Sequence, residues 1–148
     1  MLYLSEQIVK EIRAHGAKDY PNETCGALLG LEEEDADREV RALFPLTNRR
    51  DDSPRNRFSV TSDDVRAAER AARESKLEVI GWYHSHPDHP AKPSEFDREH
   101  AWPWYSYIIV SVAAGKPEDM TSWRLVDDRT HYLPEEIATR VAAPPASS

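Results

Sequence analysis

His84-Ser85-His86-Pro87-Asp88-His89-Pro90-Ala91-Lys92-Pro93-Ser94-Glu95-Phe96-Asp97 gathers imidazoles, a hydroxyl and carboxylates into one short stretch. Strand character over Leu77–Tyr83 leads into it, and helical character resumes after it. Pro87, Pro90 and Pro93 stiffen the connection. If the strand runs through His86, then His84 and His86 point to one face, because strand side chains alternate. Their Cα atoms then lie roughly 7 Å apart, two strand rises. Two imidazoles at that spacing can converge on one ion, and a carboxylate opening the next helix can add a third ligand. Two histidines and a carboxylate, with water in the fourth position, form a recurrent catalytic zinc set. A structural zinc site would want four protein ligands, usually thiolates, and the chain has one Cys.

A plainer reading stands beside the chemical one. Ser94-x-x-Asp97 is also a capping box, in which Ser94 caps the helix and Asp97 reaches back to it. A lone histidine is more often a surface or core residue than a ligand. The combination favours the metal, since capping a helix does not require His-x-His at a strand end. Spacing leaves the ligand set open. His89, between Asp88 and Pro90, can swing in, and His100 lies three residues after Asp97 on the same helix face.

The stretch resembles the signature of the JAMM (MPN-domain) metallopeptidases. That signature reads His-x-His, seven residues, Ser, two residues, Asp, with a glutamate far upstream. Pro21-Asn22-Glu23-Thr24-Cys25-Gly26-Ala27-Leu28-Leu29-Gly30 is similar to the family's glutamate strand. Arg57-Phe58, Gly81-Trp82-Tyr83 and Tyr107-Ile108-Ile109-Val110-Ser111 also match, so the resemblance covers about residues 1–126. It implies that His84, His86 and Asp97 hold one Zn²⁺ per chain. It further implies that Glu23 is the general base and that Ser94 helps stabilise the oxyanion. The implied fold is a mixed sheet flanked by helices, distantly like that of the zinc deaminases. The implied activity is hydrolysis of a peptide or isopeptide bond. The chain resembles the small prokaryotic members, some of which act on ubiquitin-like sulfur carriers after a Gly-Gly end. A non-catalytic MPN scaffold and a RadC-like, DNA-repair-associated protein are the alternatives. A scaffold is expected to lack a ligand or the glutamate, and none is missing. A nucleobase deaminase would carry His-x-Glu and Pro-Cys-x-x-Cys, and neither occurs here.

Several elements must position these groups. Ser5–His15 reads as an amphipathic helix, with Ser5 as N-cap and Gly16 as C-cap. Thr24–Leu31 is an apolar run bounded by glycine, the pattern of a buried strand, and it places Glu23 at a strand start. Cys25 shares a face with Glu23 and reads as a small buried hydrophobe, because no positive neighbour in sequence would lower its pKa. Glu32–Asp37 is an acidic turn, and Glu39–Leu46 a second strand. Residues 47–57 form a polar, arginine-rich loop whose length is uncommon in compact domains. Phe58–Val60 is a short strand. Thr61 and Asp64 stand at capping-box spacing and open a helix to about Lys76, with a small apolar stripe of Val65, Ala68 and Ala72. The site helix spans Ser94 to about Ala101. Trp102 and Trp104 follow it; they can line a substrate groove or cover the core, and the core is the preferred reading. Tyr105–Val112 is a buried strand, and Met120–Val126 alternates like an edge strand. A short helix is expected from Pro134.

Strands alternating with helices early, and dominating late, predict an α/β mixed sheet with helices packed on it. Residues 1–141 are expected to form one domain and 142–148 a flexible tail. Hydrophobic residues make up 39% and charged residues 31%, with a net charge of −8. That balance argues against a nucleic-acid partner, since phosphate binding needs a basic footprint. A single Cys excludes a disulfide framework and suits a reducing cytoplasm. No apolar run approaches the ~20 residues of a membrane helix, and no signal peptide is recognised.

Overall fold

The computed structural model describes residues 1–46 and 60–141. The readings for residues 47–59 and for the 142–148 tail lie outside the described residues. Along the chain run β1 (Leu2–Leu4), α1 (Glu6–Asp19), β2 (Cys25–Glu32), a 3₁₀ turn (Glu34–Ala36) and β3 (Arg38–Leu46). Then come α2 (Ser62–Glu74), β4 (Glu78–Pro87), α3 (Glu95–His100), β5 (Ser106–Ala113), β6 (Lys116–Leu125), β7 (Tyr132–Glu135) and β8 (Ile137–Thr139).

The strands form one mixed sheet in the order β7-β6-β5-β4-β2-β3-β1-β8. The pairs β4–β5, β1–β3 and β1–β8 are parallel, and the others are antiparallel. The central strands are apolar on both faces because both faces are covered. Leu28, Ile80, Tyr83, Ile108 and Val110 face α1, which contributes Ile8 and Ile12. Cys25, Ala27, Leu29, Val79 and Trp82 face α2, which contributes Ala68 and Ala72. The alanines let α2 lie close to the sheet. Thr61 caps it, with a complete capping box to Asp64.

Four readings are corrected. Gly16 does not end α1, which continues to Asp19. The glycine sits where a Cβ would come within 3.1 Å of the Val112 side chain, so its smallness serves packing instead. β6 is not an edge, because β7 pairs along it. The segment from Pro134 is strand rather than helix: Pro134 lies in the edge strand β7, where its missing N–H costs no ladder bond. The tryptophans do not cover the core, since Trp102 is 64% and Trp104 46% exposed. Strand β1, absent from the sequence reading, pairs with both β3 and β8. Among the described residues no helix is long and apolar enough to cross a membrane.

Candidate active site

β4 does run through His86, so both histidines leave the sheet on one face, the face that carries Trp82 and α2. α3 begins just beyond the connecting loop. The Ser94 hydroxyl oxygen accepts from the Asp97 N–H at 3.1 Å, and Asp97 Oδ2 accepts from the Ser94 N–H at 2.8 Å. The capping box and the candidate ligand are therefore one structure, since the cap is what aims the Asp97 carboxylate at the histidines. His84 Nε2 lies 3.3 Å from Asp97 Oδ1, and His86 Nε2 lies 3.1 Å from Asp97 Oδ2. The two Nε2 atoms are 3.1 Å apart.

Separations of this size suit zinc. A tetrahedral ion with bonds of about 2.0–2.1 Å sets its ligand atoms about 3.3 Å apart. The donor set, two imidazole nitrogens and a carboxylate oxygen, is one that zinc accepts. His86 Nδ1 is 2.9 Å from the Pro90 carbonyl, which can only accept, so Nδ1 carries a proton and Nε2 is the nitrogen turned to the cluster. The loop holding that carbonyl is itself pinned. Ser111 Oγ donates to the His89 carbonyl and Thr121 Oγ1 to the Ala91 carbonyl, each at 2.6 Å. Asp88 Oδ2 accepts from the Tyr20 hydroxyl at 2.6 Å, and Asp88 Oδ1 from the Ala114 N–H at 2.8 Å. Burial opposes charge on Asp97. The adjacent His84, with hydrogen bonds from His84, His86 and the Ser94 N–H, outweighs it and holds the carboxyl well below the usual carboxylate range.

Among the described residues, His84, His86 and Asp97 form the group able to hold a metal ion, their ligand atoms all within 4.8 Å of one another. The two histidines left open by spacing stand outside it. His89 is exposed, and His100 stacks on Phe96 with Nδ1 2.8 Å from the Phe96 carbonyl. Glu23 is 7% exposed and stands two residues before β2 begins at Cys25. The β2–β4 ladder ends with Cys25 opposite His84, so two steps on, Glu23 and His86 are the next residues on that face. Cys25 is buried there. Burial pushes its thiol well above the ordinary range, and the negative charge of Glu23 adds to this.

Two cavities meet at the cluster and share Glu23, Phe96 and Asp97. The larger, about 790 Å³, has aromatic walls that include Trp82, Trp102, Tyr105 and Tyr132. The smaller, about 320 Å³, is lined by His86, His89, Lys92 and Ser94. Together they make a groove that crosses the cluster. Sequence reading missed the aromatic wall, whose residues come from β4, the 101–105 turn and β7. The only local signal was the pair of tryptophans.

The chain is similar to known proteins of one family. The family model described as prokaryotic homologs of the JAB domain matches residues 5–126. The desampylase of Haloferax volcanii is 36% identical over 107 residues, which cover 72% of this chain and 74% of that protein. The CysO-cysteine peptidase of Mycobacterium bovis is 31% identical over 138 residues, 93% of this chain and 91% of that one. A Salinibacter ruber protein with a known solution structure superposes with a TM-score of 0.74 at 46% identity, covering 99% of this chain and 94% of that one. With residues 5–126 matched by the family model and these relatives aligned over most of the chain, the chain belongs to the prokaryotic JAB/MPN family.

Proposed function

We propose that this protein is a zinc-dependent peptidase or isopeptidase, holding one zinc per chain. It hydrolyses the amide bond after the Gly-Gly end of a ubiquitin-like or sulfur-carrier protein. The observation that carries the reading is a three-ligand cluster of zinc dimensions on the floor of a groove, with a buried glutamate on the same wall. Relatives named desampylase and CysO-cysteine peptidase support the substrate class. The working unit is residues 1–141. The proposed compartment is the cytoplasm, where the free Cys25 suits a reducing medium.

His84, His86 and Asp97 hold the ion. Zinc so bound supplies Lewis acidity, which lowers the pKa of water to about 7 and offsets negative charge on the carbonyl oxygen. The rest belongs to the chain. The Glu23 carboxylate takes the proton from water as it attacks the carbonyl carbon. As the C–N bond breaks, Glu23 returns that proton to the leaving amine. The Ser94 oxygen accepts from the Asp97 N–H, which leaves its hydroxyl hydrogen to donate to the oxyanion. The groove takes an extended tail, and glycines bring that tail close to the cluster without side-chain clashes.

The test is a carrier fusion ending in Gly-Gly and an amide-linked residue, incubated with zinc-loaded protein. Cleavage is expected directly after the second glycine. A bulky residue at that glycine is expected to slow it more than any change farther from the bond. A zinc-loaded protein that leaves the fusion intact contradicts the substrate assignment.

A further inference from the structure

Ser85 stands between two ligands of the cluster, yet its side chain turns to the opposite face, against α1. It is fully buried. A Cβ built on Gly16 would sit 3.6 Å from the Ser85 Cβ, so the α1 backbone closes over it. The paired register of β2 and β4 stops at Cys25 opposite His84. One residue farther, the Ser85 N–H donates to the Thr24 carbonyl at 3.0 Å. The return bond is made by a side chain: the Thr24 N–H donates to the Ser85 hydroxyl oxygen at 2.8 Å. Thr24 is also fully buried and is held from its other side. Its own hydroxyl lies 2.9 Å from Asp19 Oδ2 and 3.1 Å from the His15 carbonyl. The next residue outward from Thr24 is Glu23.

We propose that Ser85 is a positioning residue for the hydrolysis, its hydroxyl clamping Thr24 to the ligand strand and so setting where the Glu23 carboxylate stands relative to His84 and His86. The inference rests on Glu23 being the base. The clamp spans a single peptide step on each chain, from a residue flanked by both histidines to the residue bonded to Glu23. Without the hydroxyl, the backbone bond from the Ser85 N–H remains and the strands stay paired. The Thr24 N–H then lacks its partner, and the peptide that joins Glu23 to Thr24 loses this anchor to the ligand strand. A displacement of the order of 1 Å at a catalytic group costs up to ~10²-fold in rate. The ligands themselves are untouched, so metal binding is not expected to change.

The experiment compares the parent, Ser85→Ala, Glu23→Gln and the double variant, each zinc-loaded, on a Gly-Gly-tailed fusion. Ser85→Ala is expected to keep one zinc per chain and the parent's KM, while kcat falls roughly 10- to 100-fold. Hydrogen exchange at the Thr24 amide is expected to speed up. In the Glu23→Gln background the same change is expected to lower the residual rate less than twofold, because the residue being positioned no longer acts. Ser85→Cys keeps a weak acceptor and serves as the same test should the alanine variant not fold. It is expected to fall between parent and alanine in rate and exchange. Parental kcat in Ser85→Ala overturns the inference, as does an equal loss in both backgrounds. Failure of the base reading itself has a different signature, namely Glu23→Gln alone cleaving like the parent.

Discussion

At the residue scale, Asp97 and His86 each have two jobs that cannot be separated. Asp97 closes the capping box of α3 and faces both histidines. His86 offers one ring nitrogen to the cluster and spends the other on the Pro90 carbonyl. This was largely legible beforehand, because the strand period and the helix start both act within a few residues. The choice among histidines was not, since it depends on where the loop from Asp88 to Pro93 is pinned by β5 and β6. His86→Ala is expected to lose the zinc and His89→Ala to keep it, as metal analysis of the purified variants will read. Retention by His86→Ala with loss in His89→Ala would reverse the ligand assignment.

At the element scale, the sheet brings Glu23 to the cluster, and close contacts between strands keep it there. Gly81 sits in β4 where a Cβ would lie 2.0 Å from the Ser106 carbonyl oxygen of β5, a backbone atom that cannot move alone. Gly81→Ala is therefore expected to cost about 4 kcal/mol or more, measured by denaturant unfolding; a loss under about 1 kcal/mol would contradict this packing. α1 carries a pH-dependent contact. His15 Nδ1 is 2.9 Å from the Tyr83 hydroxyl, and Nε2 is 3.1 Å from Asp19. The neutral ring thus accepts from Tyr83 while donating to Asp19. Burial lowers the His15 pKa despite the opposing pull of Asp19. The unfolded chain then binds the proton more readily, so this stability is present above about pH 6.5 and is lost as pH falls below it. The stability gap between the parent and His15→Gln is expected to narrow from pH 7 to pH 5; a gap that widens would contradict the sign. Helices and central strands were readable from periodicity. The terminal strands β1 and β8 were not, because they are short and depend on partners far along the chain; β7 pairs locally with β6, but its Pro134 reads as a helix start. The burial of Arg38 was equally hidden, because its partners Ile80 and Ser106 lie in β4 and just at the start of β5.

At the scale of the whole molecule, the sheet has apolar cores on both faces that do not involve the cluster. The fold is therefore expected to outlast the metal, unlike a zinc finger, whose folding energy comes from binding. A chelator should remove activity and leave the far-UV circular dichroism nearly unchanged; global unfolding would mark the zinc as structural. The aromatic groove wall is the part of the site the sequence concealed, because it is assembled from segments separated by some fifty residues. It stands beside the cluster and Glu23, the base in the proposed hydrolysis. Glu23→Gln tests that role most directly, since glutamine keeps the size and hydrogen-bonding capacity of the side chain but cannot take the proton. With zinc content and substrate cleavage measured on the same sample, the metal is expected to stay at one per chain while the rate falls roughly 10²–10⁴-fold. Cleavage at the parent's rate would make Glu23 a structural acid and contradict the mechanism.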